Sequence, residues 1–303
     1  MHKISENKLV SVIIPTYKRH EKLNRALRSV VNQTYGNLEI IVVNDYPEEN
    51  IEDYIEVEDP RIKIINLEEN KGGSGARNGG IERAEGRYIG FLDDDDEYLL
   101  EKIEKQVKRI AELPEEYGLV ATGIYLVFGD GSEKRLKENK SKSGKIYKKQ
   151  LRDNQIETVT PLVKKECFKE VGLFDENLEA RQDYEMWLRI LKEYKAAFIE
   201  EPLVKQYIGA EDRVSKDPKK RYRASKKVFE KHKEEIKKDK KALEKHYMRM
   251  GIELAYFDTL EAIKYLSKSI RLKRSFIVFL TLLLPLKFRK RLLDKIRRIK
   301  KKI

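Results

Sequence analysis

Two apolar runs near the start of the chain end in polar residues in the same manner, and this repetition narrows the possible folds more than any other feature of the sequence. Leu9-Val10-Ser11-Val12-Ile13-Ile14-Pro15-Thr16-Tyr17 is ended by proline, and Leu38-Glu39-Ile40-Ile41-Val42-Val43-Asn44-Asp45 runs out into polar residues. Continuous apolar runs of this length mark strands covered on both faces, the environment of a parallel sheet. Between them Leu23, Ala26, Leu27, Val30 and Val31 fall on one helical face. A polar helix from Glu48 to Glu56 and a third strand from Arg61 to Leu67 follow. After the glycine-rich segment Asn70-Lys71-Gly72-Gly73-Ser74-Gly75, the pattern predicts a helix through about Ala84 and a fourth strand over Gly86-Arg87-Tyr88-Ile89-Gly90-Phe91-Leu92. Strand and helix alternate four times in under a hundred residues. The fold class is therefore α/β: a doubly wound, mostly parallel sheet flanked by helices, with ligands in the crevice at the carboxyl ends of the strands.

The fourth strand runs straight into Asp93-Asp94-Asp95-Asp96. Four adjacent carboxylates repel one another, and the usual remedy is a hard divalent cation, Mg2+ or Mn2+, taken through oxygen ligands and shared with substrate phosphates. The plainer alternative is that the acids cap a helix beginning near Glu97. Pro15-Thr16-Tyr17, Asn44-Asp45 and Gly75-Ala76-Arg77-Asn78 are expected at the same sheet edge as the acids. A nucleoside diphosphate suits that edge. Asp45 can accept hydrogen bonds from a base or ribose, Arg77 can pair with the diphosphate, and a cation held by the acidic run neutralises the rest. Asp45 could equally be a turn or capping residue, and Gly72 to Gly75 matches neither the Walker A nor the dinucleotide glycine spacing.

A chain of 303 residues that is 40% hydrophobic can build a large core. Its single cysteine, Cys167, excludes a disulfide framework and a cysteine-based metal site, and reads as a small buried hydrophobe just inside a helix. Met1 to Lys8 holds no apolar core of signal-peptide length, so a cytoplasmic location is expected. The net charge of +13 suggests nucleic acid until it is located: residues 271 to 303 carry thirteen Lys or Arg against one acid, leaving about +1 for the rest.

The ordered motifs carry a resemblance. Val12-Ile13-Ile14-Pro15-Thr16-Tyr17, Asn32-Gln33-Thr34-Tyr35, Val42-Val43-Asn44-Asp45, Gly75-Ala76-Arg77-Asn78-Gly79-Gly80-Ile81 and the strand into Asp93 to Asp96 together resemble glycosyltransferase family 2, over about the first 215 residues. The resemblance implies a GT-A fold and a nucleotide-sugar donor with Asp45 near its base. It also implies donor contacts from Pro15, Thr16, Tyr17, Arg77, Asp93 and Asp94. Asp93 and Asp95 become the outer members of a metal-binding DxD motif, Asp95 the nearer ligand. The family's second-strand motif usually ends Asp-Asp-Gly-Ser, whereas this chain has Asn44-Asp45-Tyr46-Pro47.

Further along, Ile103, Val107 and Ile110 mark a helix from about Leu99 to Leu113, and Tyr117 to Phe128 reads as a long strand turned at Gly129-Asp130-Gly131. Residues 134 to 149, rich in Lys and Ser, read as a mobile loop near the acceptor. Transfer to a hydroxyl needs a carboxylate within hydrogen-bonding reach. The candidate is Asp183, at the start of a helix whose Trp187, Leu188 and Leu191 turn into the fold. An Asp there could be a mere N-cap. Val171-Gly172-Leu173-Phe174-Asp175-Glu176 upstream resembles the family pattern leading to a catalytic Glu-Asp pair, with Gln182 in place of the Glu. On that resemblance Asp183 is the base and the anomeric carbon inverts. Trp187 and Arg189 fit the motif, or serve as packing and solvent-facing residues. The family often has a histidine beyond Pro202; this chain has Ile208-Gly209-Ala210-Glu211-Asp212-Arg213-Val214-Ser215 there.

From Lys219 the chain becomes charged helices, with Ala242 to Leu272 suggesting a helical hairpin. Ser275 to Leu286 is uncharged but shorter than the ~20 residues a spanning helix needs. Phe288, Leu292, Leu293, Ile296, Ile299 and Ile303 then line one face of a Lys- and Arg-rich helix, the pattern of an interfacial membrane helix. Few base-reading residues accompany the basic tail, so nucleic acid is not expected.

The expected organisation is a catalytic domain over 1–217, a C-terminal helical extension over 218–272, and a membrane-associating segment over 273–303. The expected function is an inverting, metal-dependent glycosyltransferase, peripheral on the cytoplasmic face of the membrane, carrying sugar from a nucleotide-sugar, UDP-sugar foremost, to a lipid-linked or polysaccharide acceptor. Two other classes compete: a sugar-nucleotidyltransferase, which should carry a glycine-rich loop directly after the first strand, and a noncatalytic membrane or nucleic-acid binding protein.

Overall fold

The computed structural model describes residues 8–136, 143–208 and 217–273. The apolar runs form strands where the pattern places them: β1 (Val10–Thr16), β2 (Leu38–Asn44), β3 (Ile62–Asn66) and β4 (Tyr88–Phe91) are parallel, in spatial order β3-β2-β1-β4. Thr16 lies opposite Asn44 and Asn44 opposite Asn66, so the strands end level with one another. Connecting them are α1 (His20–Val31) and α2 (Gly72–Arg83).

Successive residues of β1 feed opposite sides of the sheet, as the two-residue strand period requires. Val12 and Ile14 join Leu23, Leu27 and Val30 of α1, while Ile13 joins Ile81 of α2 and Phe91. All these side chains except Ile81 are fully buried, each contributing on the order of 2 kcal/mol from the water it leaves.

Two expectations change here. The helix over Glu48 to Glu56 is a single 3-10 turn, Ile51–Tyr54. Ile55 and Val57, two apart, both turn inward against the core, and that alternation demands extended backbone. The glycine-rich segment is not a loop ahead of α2 but its first turn. Gly72 enters with φ +66°, open to glycine and costly to other residues. A Cβ on Gly80 would lie 2.5 Å from Ile13 Cγ2, so α2 packs directly on β1.

Beyond the acidic run comes β5 (Glu97–Tyr98) rather than a helix, and α3 (Lys102–Ala111) starts later. The long strand β6 (Tyr117–Phe128) turns through Gly131, φ +78°, into β7 (Glu133–Leu136). Strand β7 takes the start of the segment read as a loop, and residues 137–142 lie outside those described. Then follow α4 (Tyr147–Arg152), β8 (Leu162–Lys164), α5 (Lys165–Val171), α6 (Gln182–Glu193) and β9 (Lys195–Ile208). Strand β8 runs antiparallel to both β4 and β6, and β9 pairs parallel with β6 and antiparallel with β5, so the sheet is mixed but mostly parallel. Its second side is closed by aromatic packing: Phe174 stands edge-on to Phe91 at 5.6 Å and to Trp187 at 6.3 Å. Cys167 is buried in α5, and burial pushes its thiol up to about 12.

A second compact unit comprises Leu151–Asp153, Leu178–Arg181 and, among the described residues, 217–273. Within it lie α7 (Pro218–Lys231), α8 (Lys233–Lys238), α9 (Lys240–Leu254) and α10 (Thr259–Lys273). Asp217 and Asp239 cap α7 and α9 by accepting from backbone N–H groups of their first turns. Gly251 lets α9 meet Leu266 of α10, where a Cβ would lie 2.6 Å from Leu266 Cγ. The short segments of the unit are held by charge. Arg152 bonds Asp239 at 2.7 Å, Asp153 meets Lys245 at 3.0 Å and Arg249 at 3.2 Å, and Glu179 pairs with Arg223 at 2.7 Å. Arg181 donates to Ser225 at 2.6 Å and pairs with the fully buried Glu253. No helix among the described residues is long and apolar enough to cross a membrane. The uncharged run and basic helix after Lys273, and most of the segment from Ile208 to Ser215, lie outside them.

Candidate active site

Because β1, β2 and β4 are parallel, the residues just past their ends share one edge. Asp45 N–H bonds Thr16 O at 2.9 Å and Leu92 N–H bonds Ile13 O at 3.0 Å. Asp93 to Asp96 form a tight turn closed by Asp96 N–H to Asp93 O at 3.0 Å. The turn hands its four carboxylates different surroundings. Asp93 and Asp95 are partly exposed, their side chains 34% and 28% accessible, while Asp94 and Asp96 are buried.

Asp94 accepts from Thr16 Oγ1 at 2.9 Å and from Arg19 Nη1 at 3.1 Å. Burial lifts its carboxyl to about 6; Asp95 and Asp93 push the same way, and Arg19 and Thr16 oppose. Asp96 accepts from the Tyr207 N–H at 3.0 Å, tying the turn to β9, and burial holds it well above the usual carboxylate range. Asp95 takes Arg19 Nη1 at 3.0 Å, and its backbone carbonyl takes Arg25 Nη2 at 2.7 Å. Asp93 takes Arg77 Nη2 at 2.6 Å, and Arg77 Nη1 also donates to Gly73 O at 3.0 Å.

Asp45 is buried and accepts the Lys71 N–H at 2.7 Å, linking β2 to the start of α2; burial raises its carboxyl. Tyr17, 44% exposed, stands edge-on to Tyr46 at 5.4 Å. Pro15 lies within β1 opposite Val43. The departure at Asn44 has a physical reason. Its buried amide donates to Tyr46 O at 2.9 Å, Glu49 O at 2.7 Å and Asn66 Oδ1 at 3.0 Å, which a carboxylate could not do.

Asp183 lies in the first turn of α6, its Oδ2 accepting from Asn154 Nδ2 at 2.8 Å. A Cβ built on Gly73 would lie 3.0 Å from Arg77 Nη1 and 4.0 Å from Gln182 Oε1, so the start of α6 lies beside the start of α2. The intervening loop is bound to α2 as well: Asn78 Nδ2 donates to Phe174 O at 2.9 Å and to Glu176 at 2.7 Å. Trp187 is fully buried. Arg189 does not face solvent; it pairs with the buried Glu185 at 2.9 Å and donates to the carbonyls of Val171, Gly172 and Leu173.

Helix capping does not account for the acids, since β5 rather than a helix begins at Glu97. Among the described residues, no three His, Cys, Asp or Glu side chains converge as a ready-made metal cage. Two accessible carboxylates with hard oxygens, beside arginines suited to phosphate, match the manner in which Mg2+ or Mn2+ binds through one or two carboxylates plus substrate phosphates. Asp93 and Asp95 therefore fit such a cation. Arg19 and Arg25 had no place in the sequence reading; the signal was Lys18-Arg19, the basic pair directly after β1 on the edge where the acids emerge.

The mixed sheet, its polar edge and its flanking helices define a GT-A transferase architecture. The Staphylococcus aureus protein TarS, residues 1–349 in complex with UDP-GlcNAc, shares the fold with a TM-score of 0.61 at 16% identity, covering 88% of this chain and 91% of that one. This chain also covers 52% of a longer TarS chain. A Pyrobaculum calidifontis mannosyltransferase in complex with GDP-Man and Mn2+ aligns with a TM-score of 0.57 at 16% identity, over 86% of this chain and 74% of its own. The family model described as Glycosyl transferase family 2 matches residues 11–164, and the chain belongs to that family. A Bacillus subtilis glycosyltransferase named for teichuronic acid biosynthesis, TuaG, is 30% identical over 73% of this chain and 86% of its own length. The Escherichia coli protein WfgD, a UDP-Glc:alpha-D-GlcNAc-diphosphoundecaprenol beta-1,3-glucosyltransferase, is 31% identical over 61% of this chain and 70% of its own. A glycine-rich loop after β1, the mark of the nucleotidyltransferase alternative, is absent: Tyr17, Lys18 and Arg19 lead into α1.

Proposed function

We propose that the protein is an inverting, metal-dependent glycosyltransferase that moves a sugar from a UDP-sugar to a hydroxyl of a lipid-linked or polysaccharide acceptor at the cytoplasmic membrane face. The UDP donor and diphosphate-linked lipid acceptor named for WfgD, and the UDP-GlcNAc bound by TarS, support this reading. The membrane contact is assigned to residues 273–303, after the helical extension over 218–272. The observation that carries the chemistry is Asp183 in the first turn of α6, next to Gln182, whose side chain reaches the start of α2 at Gly73.

In this mechanism Asp45 and Tyr17 meet the base and ribose, while Arg77 and Arg19 face the diphosphate. Asp93 and Asp95 would hold Mn2+ or Mg2+, whose charge when bound offsets that of the departing diphosphate. The Asn154 amide orients the Asp183 carboxylate. Asp183 takes the proton of the acceptor hydroxyl as its oxygen bonds the anomeric carbon and the bond to the diphosphate breaks. Attack from the side opposite the nucleotide inverts that carbon. Asp183→Asn should lower kcat by about 10²- to 10⁴-fold and leave the Kd of the nucleotide-sugar unchanged. Equal loss of turnover and donor binding, measured by steady-state kinetics and calorimetry across UDP-, GDP- and dTDP-sugars, removes Asp183 as the base.

A further inference from the structure

Asp183 stands at one end of a chain of side-chain amides whose donor sense is fixed at the other end. Gln150, in α4, is fully buried. Its Oε1 accepts the Gln155 N–H at 2.8 Å, and its Nε2 lies 3.4 Å from the Tyr184 carbonyl of α6 and 2.9 Å from Asn154 Oδ1. A backbone N–H can only donate and a backbone carbonyl can only accept, so the Gln150 amide has one orientation. Its nitrogen requires an oxygen opposite it on Asn154. That turns the Asn154 nitrogen toward Asp183, whose Oδ2 it meets at 2.8 Å. The Ile156 N–H, 3.5 Å from Asn154 Oδ1, favours the same sense.

Closing the turn after α4 takes only an acceptor on residue 150 for the Gln155 N–H. The donor aimed at Asn154 is a second property, and its effect reaches the carboxylate. A hydrogen bond donated to a carboxylate favours its ionised form, the form that can take a proton, and fixes the direction of its oxygens. Asp183 is itself half-buried, accessible to a substrate.

We infer that Gln150 and Asn154 form a positioning pair for the transfer reaction. Gln150 sets the Asn154 amide with its nitrogen toward Asp183, and Asn154 holds that carboxylate ionised and in one orientation. The inference deepens the proposed function and rests on Asp183 as the base. Two substitutions separate positioning from support. Asn154→Asp keeps an oxygen for Gln150 Nε2 and removes only the donor facing Asp183. Gln150→Met keeps the volume of the buried side chain and removes the amide that selects the Asn154 orientation.

The test follows nucleoside diphosphate released from UDP-glucose, UDP-GlcNAc and GDP-mannose by the full-length protein, with Mn2+ and a diphosphoundecaprenol-linked sugar as acceptor; calorimetry gives the donor Kd. Asn154→Asp should lower kcat about 10- to 100-fold and Gln150→Met about tenfold, with the donor Kd within about twofold of wild type. In an Asp183→Asn background neither substitution should lower the residual rate further, because residues that act as a unit do not add. Wild-type kcat in either folded variant, a matching loss of donor binding, or full additivity with Asp183→Asn overturns the inference and leaves Asp183 as the base. Undiminished kcat in Asp183→Asn alone, or no release from any donor by the wild type, removes the base and the inference with it. Where Gln150→Met does not fold, Asn154→Asp decides alone.

Discussion

Asn44→Asp makes the chain more like its family and should damage it. Asn44 is 1% exposed at the end of β2, and its Nδ2 faces the carbonyls of Tyr46 and Glu49 and the Asn66 side-chain oxygen. Its Oδ1 accepts the Tyr46 N–H at 3.0 Å, which an aspartate can also do. The substitution removes two donor hydrogens and sets a carboxylate against three oxygen acceptors. At about 1 to 3 kcal/mol for each buried acceptor left unmet, the loss is about 3 kcal/mol, a fall in Tm of about 5 °C at the usual unfolding entropy of about 2.1 cal/mol/K per residue. Because burial among acceptors favours the neutral carboxyl, its folded pKa lies above the unfolded value. The deficit is therefore present at neutral pH and shrinks as pH falls through that raised value, where the protonated acid regains one donor. Thermal unfolding followed by circular dichroism at about pH 5 and pH 7.5 checks both points. A Tm at pH 7.5 within about 1 °C of wild type would refute the view that Asn44 works as a donor.

Asp94 gives the protein a pH dependence of uncommon sign. Its carboxyl titrates at about 6 in the fold against an ordinary 3.8, so between about pH 4 and 6 the folded state binds more protons and stability falls as pH rises, by about 3 kcal/mol in all. Asp94→Asn should flatten that slope, read from urea midpoints across the window; superimposable pH profiles for the two proteins would contradict the assignment. Glu253→Gln leaves the mostly buried Arg181 guanidinium without its counter-charge and should cost about 3 kcal/mol in thermal unfolding. A loss under about 0.5 kcal/mol would mean that Ser225 and solvent satisfy Arg181 unaided.

What was legible in the sequence followed from repetition. Uninterrupted apolar runs can satisfy only strands covered on both sides, so β1, β2, β4 and β6 stand where the pattern places them, and helical spacing located α1, α3, α6 and the α9–α10 hairpin. Elements decided by what they touch were not legible. Ile55 and Val57 sit in a stretch polar enough for a solvated helix, and only the core beside them shows that they must alternate. Glycines at 72, 73 and 75 suggest a loop until α2 is seen packed on β1, where side chains at Gly80 would collide. The carboxylates of the site were visible as a run, but their counter-charges were not. Arg19 lies 75 residues from Asp94, and no local pattern joins them.

The helical unit is assembled from three separate stretches of chain, and its short ones are tied in by Arg152, Asp153, Glu179 and Arg181, each paired with a charge on α7, α9 or the α9 cap. In terms of inheritance, the unit is therefore not a cassette. A recombination event joining the first two hundred residues of one relative to the terminal helices of another would leave four charged side chains facing partners they had not evolved beside. Crossovers ahead of residue 151 keep all four pairs together, so ancestry along this chain should change in blocks whose boundary lies inside the region matched by the family model, 11–164, rather than at its end.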